Sequence, residues 1–103
     1  MKGFKHRAQM RFLKQSVELA KTNSVVRQQL VGGAREGLRV KFKEWHKKGK
    51  EITFEAIMQA IEEDEKFTEM MEVIKPIMSK RDLENMVRNM IIDYNKKPKK
   101  FLV

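Results

Sequence analysis

AREGLRVKFKEWHKKGK, residues 34–50, is the stretch on which the fold class turns. On an α-helix, at about 100° per residue, Leu38, Phe42 and Trp45 fall on one side, joined by Val31 and Ala34 if the helix extends backward. Arg35, Arg39, Lys43, His46, Lys47 and Lys50 then share a neighbouring arc about 120° wide. The competing reading is a strand, because Leu38, Val40 and Phe42 alternate with Arg39, Lys41 and Lys43. That alternation fails at the next step, where Glu44 takes the apolar parity and Trp45 the charged one. The stretch therefore reads as a helix that buries one face and presents cations on the other, with Trp45 at least half buried.

Outward from this stretch the charge changes sign twice. Residues 1–50 carry 14 Lys or Arg against 3 acids, residues 51–75 carry 2 against 8, and residues 76–103 carry 7 against 3. A dipolar chain of net charge +9 can hold a polyanion on one side, or it can pair its own halves. With 103 residues it has room for one domain and one modest core. Its 41% apolar and 36% charged content fits a globular chain rather than a disordered one. Zero cysteines exclude a disulfide scaffold and a thiolate metal site. No apolar run approaches the ~20 residues of a membrane span, and the N-terminus lacks the apolar core of a signal peptide. Its acid-free basic start suits a transit peptide poorly, having no serine before Ser16, so cytoplasmic residence is expected.

Upstream, Met10, Leu13, Val17 and Ala20 recur at helical spacing with Phe12 and Leu19 beside them, leaving Lys5, Arg7, Arg11 and Lys14 for solvent or ligand. Thr22, Asn23 and Ser24 mark a stop and restart, since any of these oxygens can cap a helix beginning near Val25. Gly32 and Gly33 predict a break or kink, because a glycine in a helix interior costs on the order of 1 kcal/mol relative to alanine. A turn followed by a basic helix invites comparison with helix-turn-helix DNA readers. The comparison fits poorly, since that motif places a small residue four positions before its turn glycine, where Gln28 or Gln29 stands here.

Downstream, Lys47 and Lys48 suit a helix C-terminus, and Gly49 suits the left-handed residue that follows one. Thr53 is the next N-cap, with Ile52 and Ile57 as a staple, ahead of Phe54, Met58 and Ile61. The run Glu62, Glu63, Asp64, Glu65 reads as a solvated turn rather than a metal site, because consecutive helical positions point in different directions. Phe67, Met70, Met71 and Ile74 restore the pattern until Pro76. Ser79, with Asp82 three residues on, caps the most regular helix, in which Leu83, Met86, Val87, Met90, Ile91 and Tyr94 form one face and the first five the centre of the core. The expected architecture is all-α, a bundle of four or five short helices over residues 1–95, with a basic, mobile tail over residues 96–103. In that tail Phe101, Leu102 and Val103 could dock on the core or on a partner. The alternative is α+β, with a β-hairpin around residues 38–54.

Catalysis finds little footing. His6 and His46 are the only histidines, Ser16, Ser24 and Ser79 lie in helix or cap contexts without a base at a telling spacing, and Gly32-Gly33 runs into Ala34-Arg35 rather than a Walker-type Lys-Ser. No enzyme activity, metal or cofactor is expected. The expected function is binding of DNA or RNA through the phosphate backbone, with Arg7, Arg11, Lys14, Arg35, Arg39, Lys43, Lys47 and Lys50 as the contacts. Trp45 would stack on a base only if it were not buried. The alternative is a helical adaptor or inhibitor whose protein partner, or second copy, meets the Met-rich or charged surfaces. Met58, Met70, Met71, Met78, Met86 and Met90 concentrate after Glu51, and a thioether adapts to irregular surfaces.

Overall fold

Burial of one face of a single long helix organises the molecule. The computed structural model describes residues 3–102, with side chains from residue 7 onward. The described residues form six α-helices and no strand: α1 (Gly3–Ala20), α2 (Ser24–Lys48), α3 (Phe54–Glu63), α4 (Glu65–Ile74), α5 (Lys80–Lys96) and α6 (Pro98–Leu102). Val103 and the side chains of Lys5 and His6 lie outside the described residues. The 25 residues of α2, at about 1.5 Å of rise each, run a distance comparable with the longest dimension of the molecule, 37 Å.

The hairpin alternative around residues 38–54 is not what the chain adopts, and burial gives the reason. Ala34, Leu38 and Phe42 are enclosed while Val40 is 50% exposed. A strand would have put Val40 on the same face as Leu38 and Phe42. Trp45 continues the buried face and packs against the core, part-buried. The helix stops at Gly49, whose φ of 69° is the left-handed conformation that favours glycine; the Gly49 amide donates to the His46 carbonyl and the Lys50 amide to that of Trp45.

The expected break at Gly32 and Gly33 does not occur, and α2 runs straight through both. Helix in a folded protein is stabilised mainly by packing of its apolar face, and the enclosed residues follow at once with Ala34. A methyl group added at either glycine would meet nothing within 4 Å. Gly32→Ala and Gly33→Ala are therefore each expected to stabilise the protein by about 0.5–1 kcal/mol. A thermal melt checks this: each should raise Tm by a few degrees, and a fall would mean that the glycines answer to something other than the helix.

Around α2 the other elements close in order. Helix α1 lies on α2 and α4, α3 on α4 and α5, and α6 on α5 and α2. Asn23 caps α2, its side-chain oxygen accepting from the amides of Val25 and Val26, while Arg27 donates to the carbonyls of Ala20 and Lys21 that α1 leaves open. Thr53 caps α3 through the Ala56 amide, and Ser79 and Asp82 form a reciprocal box at the start of α5. The acidic run breaks at Asp64, which ends α3 and caps α4 by accepting from the Phe67 amide at 3.1 Å. That bond, aided by Lys41 with its Nζ at 3.5 Å, holds the Asp64 carboxyl below the usual carboxylate range.

The resulting core runs through Val17, Leu38, Phe42, Ile57, Ile61, Ile74, Leu83, Val87 and Met90. Met86 and Ile91, expected at its centre, are partly buried at its edge. Phe12 and Leu19 stand 69% and 60% exposed, on the side of α1 away from it. In the tail, Phe101 and Leu102 pack against the core, one of the two courses expected of them. Pro98 biases Lys97 out of helical geometry and so ends α5, yet proline is well suited to a first helical position, and one more turn follows as α6. The Phe101 ring of that turn sits with its centroid 5.4 Å from Phe42 and 6.0 Å from Tyr94.

Candidate functional site

Because α2 spends its apolar stripe on the core, its flanking arc of cations is left along the border with α5 and α6. Arg35 and Arg39 are one turn apart, and each meets the tail. The Arg35 guanidinium lies 5.9 Å from the centre of the Phe101 ring, and an Arg39 N–H donates to the Phe101 carbonyl at 3.4 Å. Farther along, His46 Nδ1 shares a hydrogen bond of 2.6 Å with the Tyr94 hydroxyl, so this histidine ties α2 to α5. Three contacts along α2, at Arg35, Arg39 and His46, thus fix the position of the α5–α6 corner.

The corner brings its own charge. Lys96 and Lys97 at the end of α5 and Lys100 on α6 line a cleft of about 590 Å³ together with Arg35, Arg39 and Phe101. Two carboxylates, Glu36 and Asp93, share it with the five cations, which leaves a positive excess. Glu36 is engaged from within: Arg39 Nη2 lies 2.6 Å from one of its oxygens, and Nε approaches both at 3.1 Å. The hydrogen bond from Arg39 lowers the Glu36 carboxyl from its ordinary value, and the same bond raises the guanidinium. Arg39 is therefore a brace, holding α6 by its carbonyl and Glu36 by its fork, while Arg35 and the three lysines give the cleft its remaining positive charge.

The other residues named from the sequence are distributed over two regions. Lys43 and Lys47 are exposed on the turns of α2 beyond Arg39. Lys50 follows the helix end, its Nζ 5.2 Å from the centre of the Trp45 ring. Arg7, Arg11 and Lys14 are exposed on α1 and surround a separate shallow hollow of about 320 Å³ with Met10. No residue lines both hollows. The acidic run is reached by Lys41, which is not one of the eight.

Sequence reasoning passed over Lys96, Lys97 and Lys100 as cleft residues, having placed them in a mobile tail. Docking of Phe101 on the core was among the expectations; its consequence is that Lys100 travels with it, to stand beside Lys96 and Lys97 at the end of α5. The methionines of the acidic half are partly or fully buried. Met58, Met71 and Met78 line an apolar hollow of about 270 Å³ with Ile61 and Leu83.

Among the described residues no three His, Cys, Asp or Glu side chains gather as they would around a metal ion, and no helix is long and apolar enough to cross a membrane. Compared with known proteins, the chain matches no family model, no curated protein and no solved structure.

Proposed function

We propose that this protein is a small non-catalytic nucleic-acid binder that contacts the phosphate backbone of DNA or RNA through its basic surface. The observation that carries this reading is the cleft in which Arg35 and Arg39 of α2 face Lys96, Lys97 and Lys100, five cations against two carboxylates. Cations clustered on a concave surface raise the local potential more than the same number scattered, and a polyanion gains by releasing its condensed counterions as it enters. Lys43 and Lys47 extend the same stripe along α2, and Arg7, Arg11 and Lys14 form a second basic patch on α1. Trp45 packs against the core, which argues for backbone contact over base stacking.

A shift assay across a salt series tests it. Replacing Arg35, Arg39 and Lys43 with Gln is expected to weaken binding and flatten the dependence of log K on log salt, each lost phosphate contact changing the slope by roughly 0.9 on a duplex and 0.7 on a single strand. Absence of binding by the wild-type protein at about 150 mM salt, even at the high concentrations at which nonspecific binders associate, would remove the reading. The helical adaptor would then lead, supported by the apolar hollow between Met58, Met71 and Met78.

A further inference from the structure

We infer that the C-terminal turn completes the phosphate site, and that Phe101 does so by docking Lys100 opposite Arg35, beside Lys96 and Lys97 at the end of α5, so that a phosphodiester strand enters a cleft already formed. This rests on the nucleic-acid reading above and adds to it where the strand is held and what builds the place. A lysine tail moving in solvent attracts anions, but it must be ordered when it binds, and that ordering subtracts from affinity. Here the ordering precedes the ligand. The Phe101 ring is held by Phe42 and Tyr94 at centroid distances of 5.4 and 6.0 Å, Arg35 lies over its face, and Arg39 holds its carbonyl. The turn is also directional. Lys100 lines the cleft, whereas its neighbour Lys99, about 100° away around the helix, does not.

That difference between adjacent lysines is the sharpest consequence. In a mobile tail Lys99 and Lys100 are equivalent, and in a docked turn they are not. Binding of a fluorescent single-stranded DNA oligonucleotide, followed by anisotropy over a salt series, measures it. Lys100→Gln is expected to reduce the log-log slope by roughly 0.7, the loss of one phosphate on a single strand, while Lys99→Gln leaves slope and Kd close to wild type. Phe101→Ala removes no charge, yet it should lower affinity and slope as Lys100→Gln does, and by less than the triple Lys96→Gln, Lys97→Gln, Lys100→Gln variant, with helicity checked by circular dichroism. Asp93→Asn, which removes a carboxylate from the cleft, should tighten binding about two- to five-fold, the range of an exposed charge pair.

Equal effects at Lys99 and Lys100 would overturn the inference. So would a Phe101→Ala protein that stays folded and binds as wild type. In both cases the wild type still binds DNA, and the broader reading survives on α1 and α2. A wild type that ignores the oligonucleotide but captures a polyglutamate peptide would end both, and would identify the cleft as a seat for an acidic protein segment.

Discussion

Phe42→Ala is expected to cost about 3–5 kcal/mol of folding stability, and Val40→Ala, two residues away, less than about 0.5 kcal/mol. Both are large-to-small changes on the same helix, so hydrophobicity alone would rank them only by size. Phe42 has no exposed surface, whereas Val40 is half exposed. Removing the Phe42 ring leaves a space that Tyr94 and Phe101 border and cannot fill without moving, so a cavity adds to the lost transfer energy. At Val40 the lost burial is small, and alanine is the better helix former. A loss of 3–5 kcal/mol is a large share of the roughly 5–15 kcal/mol available to a domain of ordinary stability. Urea denaturation monitored by circular dichroism gives both values. Comparable losses at the two positions would mean that Leu38, Val40 and Phe42 share a face, as they would in a strand.

The same pair of residues shows why the fold class was legible. Over residues 38–43 the sequence fits either period, and Glu44 and Trp45 decide for the helix because only a period near 3.6 returns Trp45 to the side of Leu38. Caps were legible for the same local reason: Asn23, Thr53 and Ser79 each carry an oxygen that reaches amides two or three residues on. The failures share a different cause. At Gly32 and Gly33 the local cost is real, but the energy that overrides it comes from the packing of Ala34, Leu38 and Phe42 against elements far away in sequence. In the tail, four lysines around Pro98 give the composition of a mobile segment, and the contact that orders it joins Phe101 to Phe42, 59 residues earlier.

The candidate site divides along the same line. That Arg35 and Arg39 share an arc follows from helical period, so the α2 half could be read from spacing. That Lys96, Lys97 and Lys100 face them follows from where α5 and α6 pack, which no spacing within either segment encodes. The balance of importance changes accordingly. From the sequence, neutralising the tail lysines should matter less than neutralising Arg35, Arg39 and Lys43; on the proposed reading of the cleft, with Arg39 braced against Glu36, the lysines are expected to matter at least as much.

Met90→Ala is expected to cost about 2–3 kcal/mol, and Ile92→Ala under about 0.5 kcal/mol. Met90 is 1% exposed and continues the face of Leu83 and Val87, at i, i+4 and i+7 of α5. Ile92, two positions on, is turned about 200° around the helix and stands 51% exposed. The value for Met90 belongs at the lower end of the 2–5 kcal/mol range for such truncations, because Met90 also borders a hollow of about 420 Å³ in which Ile77 and the flexible Met86 stand among polar side chains such as Asn85 and Asn89, and Met86 can move in. Equilibrium unfolding in urea separates this from a different arrangement. A Met90→Ala loss below about 0.5 kcal/mol, with the m-value unchanged, would mean that the Leu83, Val87 and Met90 face does not hold the fold together. An apolar helix face that does not stabilise its own fold is available to another molecule. Such a result would favour the adaptor over the nucleic-acid binder, whatever the charge of the neighbouring cleft.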